Sequence, residues 1–219
     1  MFKNRSDAAQ QLAIYLQKYR DNPEVVIVAI PRGALEIGVV LAQKLHAPLD
    51  IALVKKIGAP ENPEFAIGAL SLTTQTIDPM YSHLTEHITQ ELQEKRALLK
   101  KRQASYYTNS IGPISLHNKI VILVDDGIAT GRTFLETIKL IKTQKPQRII
   151  AAIPVAPPDT LAKIQLEVDE LICILQPNFL QAIGQFYQDF TQVEDAQAIK
   201  LLHDSSIQSF RPHSQGTKK

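Results

Sequence analysis

The chain has 219 residues, of which 44% are apolar and 21% charged, a composition that suits one folded domain with a substantial core and excludes a disordered chain. Its 24 basic and 22 acidic side chains leave a formal net charge of +2, so no broad electrostatic footprint marks it for nucleic acid or an anionic membrane. Any anion it binds must be held by local geometry.

The N-terminal stretch MFKNRSDAAQQ lacks the apolar run of a signal peptide, and no segment approaches the ~18 apolar residues of a membrane span. The cytoplasm is therefore the expected location. Apolar runs then alternate with amphipathic stretches, the rhythm of a Rossmann-like α/β fold with a parallel sheet and helices on both faces. The first strand is expected at Val25–Ile30, followed by the turn Pro31-Arg32-Gly33 and a helix over Ala34–Leu45. A second strand is expected at Leu49–Val54.

A long insertion, residues 55–118, follows. Lys56–Glu64 is rich in Gly and Pro and reads as a loop, Phe65–Thr73 as a strand, and Leu84–Ala104 as a helix with Glu91 and Lys95 at i,i+4. The core resumes with a strand at Ile120–Val124 and a helix from near Thr130 to about Thr143. Further strands are expected at Ile149–Pro154 and Glu170–Leu175, with a helix near Thr160–Leu166 between them, and continuous apolar character predicts strands buried on both faces. The single cysteine, Cys173, lies in the run ELICIL and reads as a buried, unreactive thiol. Residues 176–204 stand outside the βαβ rhythm as a small cap, and the polar segment 205–219 reads as a disordered tail. The whole is one domain, 1–204, with its core at about 5–54 and 119–175.

The segment with most chemistry is Val121–Thr133, VILVDDGIATGRT. Four apolar residues carry the chain to the carboxyl end of a strand, where open α/β folds place ligands. Asp125 and Asp126 then reach the crevice, and carboxylates there can accept hydrogen bonds from vicinal hydroxyls, as on a ribose. The small residues from Gly127 to Gly131, with Ile128, Ala129 and Thr130 between, let backbone amides face a phosphate, and a helix opening there adds the positive end of its dipole. Thr130 and Thr133 add hydroxyl donors. A bare acidic pair before a glycine turn is more often simply a tight strand–helix connection; thirteen residues in this order describe a sugar-phosphate site.

This segment resembles the signature for 5-phosphoribosyl pyrophosphate (PRPP) in type I phosphoribosyltransferases, and it is similar to the DDLLATGGT-like form of the adenine enzymes. The resemblance extends over about residues 5–175, and the insertion and cap resemble those of bacterial members with no assigned base. It implies an α/β phosphoribosyltransferase fold with a C-terminal hood, and Mg²⁺-dependent transfer of phosphoribose from PRPP to a base or amine with loss of pyrophosphate. It also implies small-molecule substrates, with no nucleic-acid or membrane partner, and a homodimer. Asp125 and Asp126 would hold the ribose hydroxyls and the magnesium, directly or through water. Residues 127–131 and Thr133 would hold the 5-phosphate.

Ala29–Ala34, AIPRGA, resembles the SRGG-type pyrophosphate loop of bacterial xanthine enzymes. Gly33 would permit close approach, and Arg32 would pair with phosphate oxygens, although PRG can also be an ordinary turn. Lys55 and Lys56 resemble the basic pair that precedes the mobile loop of the adenine and orotate families; Lys55 is assigned to catalysis and pyrophosphate, and for Lys56 a solvated role stands equally. Glu61 and Glu64 read as solvated. Ala129 stands where hypoxanthine-guanine enzymes carry an acidic residue near the purine N7, so the turn offers no general base. Among Phe179, Phe186, Tyr187 and Phe190, Phe186 or Tyr187 is a candidate to stack on a base, and all four also suit the core of a cap.

Two competing functions remain on this reading. A non-catalytic PRPP or nucleotide-binding regulator would keep the same motif without turnover. His83 and His87 in HLTEH match an inverted zinc-protease pattern, for which a polar helix start is the simpler account. The basic stretch from Lys95 to Arg102 reads as a solvated helix face.

Overall fold

A computed structural model describes residues 1–107 and 112–209, except the side chains of 63–65 and 206–209. The chain opens with α1 (Arg5–Tyr15), a helix the sequence pattern did not announce, capped by the Asn4 side chain accepting from the Asp7 amide. Strand β1 (Val25–Ala29) leads into α2 (Ala34–Leu45) and β2 (Leu49–Ile51). The insertion holds β3 (Lys55–Ala59), β4 (Asn62–Leu70), β5 (Gln75–Ile77) and α3 (Thr85–Tyr106). The core then returns with β6 (Ile120–Val124), α4 (Arg132–Thr143), β7 (Arg148–Val155), α5 (Pro158–Gln165) and β8 (Glu170–Leu175), and α6 (Asp195–Ser209) follows.

Five strands form one parallel sheet in the order β2-β1-β6-β7-β8. Period-two alternation sends Val25, Ile27 and Ala29 of β1 to one face, with α1, α2 and α6, and sends Val26 and Val28 to the other, with α4 and α5. Every residue of β1 and β6 is buried, as the continuous apolar runs predicted, and each such Val, Leu or Ile contributes about 1.5–3 kcal/mol of burial. Edge strand β8 departs from that expectation and is only half-buried, whereas β2 at the other edge is buried. Among the described residues no helix is long and apolar enough to cross a membrane.

The insertion differs from its sequence reading. Lys56–Glu64 is not a loop: β3 and β4 pair antiparallel around a turn at Pro60 and Glu61, and β5 completes a three-stranded sheet. The Gly and Pro content that suggested a loop serves the turn and a register shift between Ile57 and Gly58. The second core strand accordingly stops at Ile51, and Lys55 opens the hairpin. The α3 helix docks on that hairpin through His87, whose Nε2 lies 2.8 Å from the Gly58 carbonyl, and through Glu91, which accepts from the Gly58 amide at 3.3 Å and pairs with Lys95. At the other end, α6 reaches Ser209, so the first residues read as a tail are helical; 210–219 lie outside the described residues.

Candidate active site

The sheet order reverses direction between β1 and β6, and their carboxyl ends open into a common crevice. The loop after β1 carries Arg32 and Gly33, and the loop after β6 carries Asp125 through Gly131. The two loops touch. A Cβ placed on Gly33 would lie 2.0 Å from Asp126 Oδ2, an overlap no side chain tolerates, so glycine is what lets the carboxylate lie against the preceding loop. The Pro31–Arg32 peptide at this point is cis.

Asp126 is held from several directions. Its amide donates to Asp125 Oδ1 at 2.9 Å, its carbonyl accepts from the Tyr187 hydroxyl at 2.6 Å, and its Oδ2 accepts from Arg5 Nε at 2.7 Å. Arg5 itself is 5% exposed, lies with its guanidinium carbon 3.9 Å from the centre of the Phe190 ring, and donates to the Thr191 carbonyl at 2.8 Å. Burial and the neighbouring Asp126 charge push the Asp125 carboxyl well above the usual carboxylate range. The adjacent acids thus share a confined space that favours a cation or hydroxyl donors.

The turn beyond them is shaped by small residues and by one buried anchor. Ile128 points into the core and its amide donates to the Val155 carbonyl at 2.9 Å. That amide is therefore committed to the fold and does not join the phosphate-binding set expected from the sequence. Gly127 is packed beneath Ile183, where a Cβ would come within 2.3 Å, and Gly131 takes φ +74° as the cap of α4. Thr160 Oγ1 donates to the Ala129 carbonyl at 2.7 Å and fixes the loop from α5. Among the described residues no hydrogen bond engages the amides of Ala129, Thr130 and Gly131. Ala129, Thr130 and Thr133 are exposed at the start of α4.

The remaining candidates are dispersed. The guanidinium of Arg32 faces the start of α6, with Nη1 3.6 Å from Asp195 and 3.8 Å from Glu194. Lys55 and Lys56 lie half-buried on the hairpin strand β3. Tyr187 is not an open stacking platform: its ring is buried between Phe2 and Phe190, with centroids 5.2 and 4.9 Å away. Its hydroxyl serves the Asp126 carbonyl, and burial pushes its ionisation far up. Phe186 packs on the same cluster and remains partly exposed. His83 and His87 each face a backbone carbonyl, of Met80 and Gly58, and among the described residues no group of three or more His, Cys, Asp or Glu is suited to hold a metal. Cys173 is half-buried, with its thiol pushed up to about 11 by desolvation.

Sequence reasoning missed Arg5 and the architectural part of Tyr187. An arginine five residues into the chain, 121 positions from its carboxylate partner, reads as solvated, and no local pattern sets it apart. The one signal was the aromatic cluster near the C-terminus, which needed something to cover.

A family model described as "Phosphoribosyl transferase domain" matches residues 3–189. Two Mycobacterium tuberculosis proteins, provisionally named phosphoribosyl transferases Rv0571c (strain H37Rv) and MT0597 (strain CDC 1551), are each 31% identical over 206 residues. Those residues are 92% of this chain and 46% of each relative, so the chain spans about half the length of the curated relatives it matches. The crystal structure of TT1426 from Thermus thermophilus superposes with a TM-score of 0.85 at 30% identity, covering 94% of this chain and 99% of that one.

Proposed function

Since the chain belongs to the phosphoribosyl transferase domain family, we propose that it transfers the 5-phosphoribosyl group of PRPP to a nitrogenous base or amine, with Mg²⁺ and release of pyrophosphate. One observation carries this reading. Asp126 and Gly33, from the two loops that would serve ribose and pyrophosphate, meet at the point where the sheet order reverses.

Asp125 and Asp126 accept the ribose hydroxyls. The open amides of Ala129, Thr130 and Gly131, with the Thr130 and Thr133 hydroxyls and the α4 dipole, receive the 5-phosphate. Gly33 lets pyrophosphate approach the first loop closely. Arg32 and Lys55, with Lys56 beside it, offset charge on the leaving group once they turn toward it. The acidic pair fits a magnesium ion: hard carboxylate oxygens lie next to one another, and this metal is commonly held by one or two carboxylates plus substrate oxygens. When bound, the ion would be held by Asp125 and Asp126 and would supply positive charge to offset that on the leaving group.

The reaction breaks the ribose C1–oxygen bond, whose electron pair leaves with pyrophosphate, and forms a C1–nitrogen bond. Ala129 brings no side chain to take the acceptor's proton, which turns the choice of acceptor away from one that needs a base on this turn. The segment 176–204 acts as the hood over the acceptor, with Phe186 its candidate contact. The same reading has a homodimer working in the cytoplasm, a state that sedimentation of the purified chain tests.

The experiment is to incubate the protein with PRPP and Mg²⁺ and a pool of bases and amines, reading pyrophosphate release and new nucleotide masses. Turnover that disappears in Asp126→Asn supports the proposal. PRPP binding without pyrophosphate release from any acceptor would replace it with a nucleotide-binding regulator.

A further inference from the structure

The guanidinium that binds the Asp126 carboxylate comes from outside the crevice loops. Arg5 stands at the start of α1 and is buried, an expensive place for a guanidinium unless every direction of its fork is used. Nε donates to Asp126 Oδ2 at 2.7 Å, Nη1 donates to the Thr191 carbonyl at 2.8 Å and lies 3.4 Å from Glu36 Oε2, and the Phe190 ring covers one face. A planar fork held on three sides fixes the direction of its shortest bond, which runs to the carboxylate.

We propose that Arg5 is a positioning residue for ribose recognition: it sets the orientation of the Asp126 carboxylate so that the remaining lone pairs meet a sugar hydroxyl. The inference rests on the reading of the acidic pair as the ribose site. The geometry leaves the carboxylate little other freedom. Gly33 makes room for this bond and no other residue would, since a Cβ there would also lie 3.0 Å from Arg5 Nε. The Tyr187 hydroxyl holds the Asp126 carbonyl at 2.6 Å, so the residue is fixed at its main chain and at its side chain by two groups that sit together. Phe2 bridges to Tyr187 and its amide donates to the Phe186 carbonyl at 2.8 Å, which makes the start of the chain and residues 186–191 one body resting on Asp126. Carboxylate lone pairs suffice for both duties: Oδ2 receives Arg5, the Asp125 carboxyl lies within hydrogen-bond reach, and of about four lone-pair sites there remains room for a hydroxyl.

A purely structural tie between chain start and hood would lower all ligand affinities alike. A positioning role affects only ligands with ribose hydroxyls. Calorimetry on the full chain therefore compares ribose 5-phosphate with 2,3-dideoxyribose 5-phosphate in the wild type, Arg5→Met and Arg5→Lys. The wild type should prefer the hydroxylated sugar by about tenfold or more. Arg5→Met should lose most of that preference while its affinity for the dideoxy compound stays within about twofold. Arg5→Lys should recover part of it, because one ammonium keeps the charge and loses the fork. Wild-type preference in a folded Arg5→Met, or an equal fall for both sugars, overturns the inference. A wild type indifferent to the hydroxyls overturns the ribose reading and this inference with it, so the two failures are separable. If circular dichroism shows Arg5→Met unfolded, Arg5→Lys decides alone: a preference lowered about threefold supports the role, and an unchanged one refutes it.

Discussion

The two sides of the crevice are built on different terms. On the β6 side, Asp126, Ile128 and Ala129 are each tied to a distant element by a hydrogen bond, from Tyr187, to Val155 and from Thr160, and Asp126 also receives Arg5. On the β1 side, Arg32 has its partners at 3.6 and 3.8 Å, on side chains about two-thirds exposed, and on the hairpin Lys55 and Lys56 lie half-buried. On the proposed reading the 5-phosphate and the ribose hydroxyls take no part in bond making, so a preorganised cradle suits them. On the same reading pyrophosphate arrives, gains charge and leaves, which suits groups held by weak, exchangeable pairs.

That contrast can be broken most strongly at its centre. Asp126→Asn keeps the shape, removes the charge that Arg5 and a magnesium ion require, and should lower pyrophosphate release from PRPP by about 100-fold or more in a protein that still folds. Gly33→Ala attacks the contact between the halves. With a Cβ 2.0 Å from Asp126 Oδ2, one of the loops must move, and denaturant titration should show a loss of about 1–3 kcal/mol together with weaker PRPP binding. Thr160→Val removes the donor to the Ala129 carbonyl while keeping its bulk. It should cost about 1 kcal/mol and raise the KM for PRPP more than it changes kcat. The exposed side predicts the smallest effect and the opposite sign. Joint replacement of Glu194→Gln and Asp195→Asn frees Arg32, should leave stability within about 0.5 kcal/mol, and should lower the KM for PRPP a few-fold. If those substitutions weaken PRPP instead, the pairs orient Arg32 and do not compete for it.

The rigid side was also the legible one. VILVDDGIATGRT announces strand, acids, turn and helix within thirteen neighbouring residues, and the structure has β6 ending at Val124 and α4 beginning at Arg132. Ile128 was beyond reach, because whether an amide in a glycine-rich turn faces a ligand or the adjacent strand depends on Val155, which is remote in sequence. The hairpin failed for a related reason. Lys55–Ala59 has little intrinsic preference for strand and acquires it from pairing with β4, so Gly58 and Pro60 dominated the local pattern. Tyr187 was visible as an aromatic in a cap, but nothing local shows that its hydroxyl closes on a carbonyl 61 positions earlier. The elements that periodicity can see were found, and the contacts that cross the chain were not.

The link between Arg5 and Asp126 spans 121 residues, and the one from Tyr187 spans 61. Contacts this remote in sequence close long loops, whose entropy must be met before the contact gives anything back. On the ribose reading, competence for the sugar waits for residues 186–191 to dock on the first residues of the chain, and a refolding experiment that follows both the Tyr187 environment and ribose 5-phosphate binding should see them appear together.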